Sequence, residues 1–191
     1  MTTENPNGEF TDEKRIDFLF KVIGRFDHYI NSTNTKASII IAWNGILIGA
    51  ILLKFDDVLR LYQGAKWSVA LASVLLSLIG ICGLASIFIV FSVVFPFLEK
   101  TSQTPTGRVL QSESMIFFGS VAAMGKDTYT ARVKECTSSE ILSDISDQAV
   151  ILAIGLREKM ERLRGSITAI KLSVVLIIAL VVIKGLLTIT V

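Results

Sequence analysis

From Trp67 to Leu98 the chain carries no charged side chain. As a single α-helix at roughly 1.5 Å per residue this run would measure about 48 Å. A bilayer hydrocarbon core is about 30 Å thick, so the run crosses it with length to spare, taken up as tilt or as a projecting helix end. Pro96 is where such a helix is expected to bend or stop. Two further apolar runs flank it: Ala37 to Leu53, closed by Lys54 and close to the shortest length that spans, and Ile167 to Val191. With 51% hydrophobic and only 19% charged residues, the chain reads as an integral membrane protein rather than a soluble domain. The first apolar run follows a mixed-charge segment of some two dozen residues, which does not fit a cleaved secretory signal.

The parts between the spans have their own pattern. Residues 1–10 form a polar lead-in expected to be disordered. From Thr11 a helix is expected, capped by Thr11, with Asp12 and Glu13 at its positive end. Ile16, Leu19, Ile23, Phe26 and Ile30 then recur at alternating spacings of three and four, a heptad stripe. Lys54 to Lys66 reads as a short polar turn, and Glu99 to Glu113 as loop. Ser114 to Gly125 is too short to span and is expected to be an interfacial segment or part of a small core, followed by a short helix capped by Asp127. Ser138 or Ser139 is expected to open a longer helix with a second stripe, Leu142, Ile145, Ala149, Leu152, Leu156 and Leu163, interrupted by Lys159 and running on into the third span.

The expected fold is therefore all-α: three transmembrane helices with two helical cytoplasmic extensions packed together. Its divisions are 11–36 (amphipathic helix), 37–54 and 67–98 (spans), 99–166 (cytoplasmic region with a long helix over 139–166) and 167–189 (third span). Asn44 and Gly45 suit a helix contact, and Gly80, Gly83, Ser73, Ser77 and Ser86 give the second span a small-residue face. Fourteen of the nineteen Lys and Arg lie before Ala37 or between Leu98 and Ile167, against three in the turn between the first two spans. The positive-inside rule then puts the amino terminus in the cytoplasm and the carboxyl terminus in the periplasm.

The net charge of +2, with acidic and basic residues intermixed, argues against nucleic acid as a partner. No serine or cysteine has a base partner in its sequence context. His28, beside Asp27 on an amphipathic helix, reads as an exposed helix residue. Cys82 and Cys136 lack metal-ligand neighbours at useful spacing and read as free thiols. No catalytic residue, metal site or cofactor is expected. Arg25, Lys36, Arg108, Lys126 and Arg132 are the cations placed to grip a ligand phosphate. Lys184, separated from Lys171 by only twelve uncharged residues, either snorkels or lines a water-filled path between protomers.

Asp27-His28-Tyr29-Ile30, followed by Lys36-Ala37-Ser38 and Asn44-Gly45, resembles the amino-terminal part of the transmembrane effectors of Pycsar antiphage defence. Ser114 to Gly119, then Tyr129, then a helix bearing Gln148 that leads to a third span resembles the rest of that family, over roughly residues 15–190. The resemblance implies a bacterial inner-membrane protein acting with a pyrimidine nucleotide cyclase. The activating ligand would be cyclic CMP or cyclic UMP, and the response disruption of the membrane and abortive infection. A homo-oligomer in contact with membrane lipid is expected. A membrane effector answering a cyclic oligonucleotide and a ligand-independent membrane scaffold remain open beside it.

Overall fold

The computed structural model describes residues 10–64, 66–94 and 114–189. Within them the elements are α1 Asp12–Arg60, α2 Lys66–Val94, α3 Phe118–Met124, α4 Lys126–Glu135 and α5 Ser138–Ile189. Helices α1, α2 and α5 are each long and apolar enough to cross a membrane, so the chain is an all-α membrane protein. Pro96, Lys100, Arg108 and the loop expected over Glu99 to Glu113 lie outside the described residues, as does the lead-in before Phe10. The chain divides into two compact units, Met1–Ile30 with Phe97–Arg157 and Asn31–Pro96 with Glu158–Val191.

Helix α1 opens where the carbonyl of Thr11 accepts the Arg15 amide at 3.0 Å, with Asp12 and Glu13 in its first turn. Up to Ile30 its half-buried positions are the expected stripe, Ile16, Leu19, Ile23, Phe26 and Ile30, with Val22 beside them. The same three-four spacing continues through Thr33, Ala37, Ile40 and Asn44. Residues Asn31 to Thr35 are all weak helix formers. They stay helical with hydroxyls that turn back on the backbone: Thr35 Oγ1 donates to the Asn31 carbonyl at 3.0 Å and Ser38 Oγ to that of Asn34 at 3.1 Å. The Lys54 to Lys66 segment is not a turn throughout. Helix α1 runs on to Arg60 because Phe55, Val58 and Leu59 prolong the less exposed face and Lys54 pairs with Asp57 at 3.0 Å.

In the first unit, Ser114 organises the segment before α3. Its Oγ accepts the amides of Ile116 (3.2 Å) and Phe117 (2.9 Å) and the Gln148 side-chain amide (3.3 Å). Asp144 accepts the Met115 amide at 2.7 Å, and the Tyr129 hydroxyl donates to the Met115 carbonyl at 3.2 Å. Residues from α4 and α5 thus tie down one short strap. Asp127 does not cap α4: the cap position is Gly125, at φ +72, a left-handed conformation that glycine adopts without strain, and Asp127 sits in the first turn. Helix α5 opens at Ser138, one of the two expected positions, with Thr137 in the cap position before it. Thr137 and Glu140 form a reciprocal capping box, the Thr137 amide donating to Glu140 Oε2 (2.8 Å) and the Glu140 amide to Thr137 Oγ1 (3.3 Å). The Thr137 amide, then its hydroxyl, holds the Glu140 carboxyl below the ordinary carboxylate range.

In the second unit, α2 buries Ser68, Ala72, Leu76, Ile79, Gly83, Ser86, Val90 and Val93. Its small-residue face is narrower than composition implies, since Ser77 is exposed and bonds back to the Ser73 carbonyl at 2.9 Å. Ala37, Ile40, Val90, Val93 and Leu163 form one apolar cluster drawn from α1, α2 and α5. Phe88, Ile81, Leu52, Val175, Ile178 and Val181 point outward, the arrangement of helices whose solvent is lipid.

Candidate functional site

The three spanning helices meet at a polar node. Asn44 (α1), Ser86 (α2) and Ser166 (α5) are buried to 1%, 0% and 0% exposure. The Asn44 Nδ2 donates to the Ile40 carbonyl at 2.9 Å and to Ser86 Oγ at 3.1 Å. The Ser86 and Ser166 hydroxyls lie 2.8 Å apart. Asn44 Oδ1 is buried with no hydrogen-bond partner. Turning the amide over would set that oxygen against the Ile40 carbonyl, so the Nδ2 bond to Ile40 fixes this orientation of the amide. Leaving a buried polar atom unpaired costs about 1–3 kcal/mol. The oxygen faces Gly83, where an added Cβ would stand 3.5 Å from it and 3.3 Å from the Ile48 side chain, so glycine keeps α1 and α2 in close approach.

Two lysines on the same face of α5 mark the ends of this bundle. Lys159 Nζ donates to the Asn34 side-chain oxygen at 3.3 Å and to the carbonyl of Val93, in the last turn of α2. Burial, and then the neighbouring Arg162, pushes the Lys159 ammonium below the ordinary lysine range. Lys184 Nζ donates to the Leu61 carbonyl at 2.6 Å, just past the end of α1. Each ammonium therefore meets a helix carboxyl end, where partial negative charge and free carbonyls collect. Their separation along α5 is about 38 Å at roughly 1.5 Å per residue, a little more than a hydrocarbon core. Beside Lys184, Tyr62 is buried, its hydroxyl donating to the Leu180 carbonyl at 2.7 Å.

Of the cations picked out for phosphate binding, Arg25 and Arg132 line different hollows of the first unit. Arg25 is exposed on α1 and lines a hollow of about 390 Å³ with Lys21, Gly24, His28 and Tyr29. Asp17 engages Lys21 at 2.7 Å. Lys126 is the exposed first residue of α4, and Arg132, in its last turn, lines a different hollow of about 370 Å³ with Met115, Thr128, Glu135 and Glu140. Two carboxylates make that second hollow a poor seat for an anion. Lys36 is exposed and belongs to the second unit, whereas Arg25 belongs to the first. Arg108 lies outside the described residues.

Sequence reasoning singled out Asn44 and Ser86 as contact residues but not Ser166, Ser173 or the capping role of Lys159. Their shared signal is a recurrence every seven residues, Lys159, Ser166, Ser173, on the stripe that begins at Leu142. A family model, the Pycsar effector protein domain PycTM, matches residues 18–185. No curated protein and no solved structure matches the chain. The Ser114, Tyr129 and Gln148 side chains, which carried the resemblance in the sequence, are the ones that pin the strap before α3.

Proposed function

We propose, because the chain belongs to the Pycsar effector family, that this antiphage membrane effector is switched on by a cyclic pyrimidine mononucleotide, cyclic CMP or cyclic UMP, and then breaches the inner membrane to end the infection by abortive death of the cell. Family membership is the observation that carries this reading. The family implies membrane association and a partner cyclase that supplies the messenger, and it is one of transmembrane effectors rather than enzymes.

The amino terminus and the residues between α2 and the third span face the cytoplasm in this reading, where the messenger is made, and the carboxyl terminus faces the periplasm. The excess of Lys and Arg in those segments supports that orientation. Of the candidate cations, Arg25 has the most suitable surroundings. Lys21 and His28 add positive or proton-donating groups, Tyr29 and His28 offer ring faces for a base, and Gly24 leaves the backbone open. Lys36, Arg108 and Lys126 are the further candidate phosphate contacts, whereas Arg132 shares its hollow with Glu135 and Glu140.

Binding to detergent-solubilised protein tests this. A pyrimidine cyclic mononucleotide at a hundred times its Kd should stabilise the protein by about 2.7 kcal/mol, and cyclic AMP should not. Arg25→Ala should weaken binding about 10- to 100-fold, the worth of a charge-assisted contact of about 1.5–3 kcal/mol. Stabilisation by a cyclic dinucleotide alone would move the protein to another messenger class. No shift with any nucleotide would favour a ligand-independent scaffold.

A further inference from the structure

The polar residues of the bundle lie on one continuous strip. On α5 the inward face runs Lys159, Leu163, Ser166, Ile170, Ser173, Ile177, Leu180, Lys184, each buried or half-buried, while Val174, Val175, Ile178, Val181 and Val182 face outward. Helices α1 and α2 add Thr33, Asn44, Ser68 and Ser86 to the interior. A bundle held only by lipid-phase packing has no need of a lysine at each end of such a strip, nor of a carbonyl oxygen left without a donor at its middle. Both features make sense if the strip is at times wet: water would supply the donor that Asn44 Oδ1 lacks and would solvate each ammonium once its carbonyl lets go. The three apolar runs contain no Asp or Glu, and Lys171 is exposed off the strip, so the only charges on the strip are positive.

We propose that in the activated protein α5 parts from α1 and α2 and its inward face, Lys159, Ser166, Ser173 and Lys184 together with Asn44 and Ser86, lines an aqueous path for small inorganic anions. This rests on the reading of the chain as a membrane-breaching effector and names the path and the ions it passes. In the resting bundle the path is shut by the Asn44–Ser86–Ser166 node and by the two lysines bound to the ends of α2 and α1. Basic residues at both mouths favour anions over cations, as in pores lined by Lys or Arg.

The test uses the full chain in vesicles of phosphatidylethanolamine and phosphatidylglycerol, with chloride efflux and sodium influx read separately. Ser173→Lys puts a charge on the strip, and Val175→Lys puts the same charge at the same depth on the outward face. Without any nucleotide, Ser173→Lys should raise chloride efflux about tenfold or more above the unaltered protein, with sodium lagging, and Val175→Lys should not. Equal leakage from both, or none from inserted Ser173→Lys, overturns the proposal. In parallel, Ser166→Cys on a background in which Cys82 and Cys136 are replaced by Ala should react with an anionic membrane-impermeant thiol reagent only in the presence of cyclic CMP or cyclic UMP. Reaction of Val175→Cys under that nucleotide while Ser166→Cys stays unreactive would overturn it independently of the lysine variants. Failure of the unaltered protein to release any contents with nucleotide counts against the effector reading, whereas the comparison of Ser173→Lys with Val175→Lys still decides the path.

Discussion

In the first unit the inward face of α5 is Leu142, Ile145, Ala149, Leu152 and Leu156; in the second the same seven-residue rhythm proceeds through Lys159, Leu163, Ser166, Ile170 and Ser173. Helix α1 shows the same exchange, from Ile16, Leu19, Ile23 and Phe26 to Thr33, Ala37, Ile40 and Asn44. One periodicity thus carries two interiors. Where water is the solvent, burying an Ile or Leu contributes about 1.5–3 kcal/mol, so large apolar residues fill the seam. Where lipid is the solvent that gain vanishes, and helices are joined by small residues in close contact and by hydrogen bonds between them. Arg25, the leading messenger-binding group proposed above, belongs to the first unit and the proposed permeation path to the second. The weak helix formers Asn31 to Thr35 lie where α1 changes from one to the other.

Substitutions that treat both seams alike should have unlike effects. The largest is expected for Ile145→Ala, which empties a fully buried site and should destabilise the first unit by about 2–5 kcal/mol. Limited proteolysis and urea titration would show it as early loss of the segments around α3 and α4. Thr33→Pro comes next: a proline inside α1 removes a helical hydrogen bond at a cost of about 3 kcal/mol or more. It should leave nucleotide binding intact and abolish membrane damage. A variant that inserts, binds and still kills would refute a role for α1 as a lever. In the bundle, Asn44→Leu removes a polar group already short of a partner. The change in stability should stay within about 1 kcal/mol, because hydrogen bonds between spanning helices average about 0.6 kcal/mol. A loss as large as that of Ile145→Ala would erase the contrast between the two interiors.

The smallest effect is expected at the start of α5. The Glu140 carboxyl is held low by its bonds from Thr137, so the cap contributes its stability above the ordinary carboxylate range and loses it as pH falls through the depressed folded value. Amide protection factors over residues 138–142, taken relative to the intrinsic exchange rate at each pH, should therefore fall on acidification, and Glu140→Gln should remove most of that pH dependence.

The spans and both stripes were legible in the sequence because hydropathy and periodicity are local properties of the chain. The Thr137-Ser138-Ser139-Glu140 capping box has a local signal in its Thr-x-x-Glu spacing, which an expectation resting on Ser138 or Ser139 passes over. The extension of α1 to Arg60 was hidden because Lys54, Asp56 and Asp57 resemble turn residues, whereas on a helix Lys54 and Asp57 pair across one turn. The Asn44–Ser86–Ser166 node could not be read from one sequence. Its members stand 42 and 80 residues apart, and nothing local tells Ser86, which is buried, from Ser77, which is exposed. The strap held by Ser114, Asp144 and Gln148 was out of reach for the same reason.

The most direct test of the account is release of trapped chloride from vesicles carrying only this purified chain, on addition of cyclic CMP, cyclic UMP or cyclic AMP. The account predicts release with a pyrimidine nucleotide and none with cyclic AMP. Intact vesicles under all three, with the protein shown to be inserted, would contradict it.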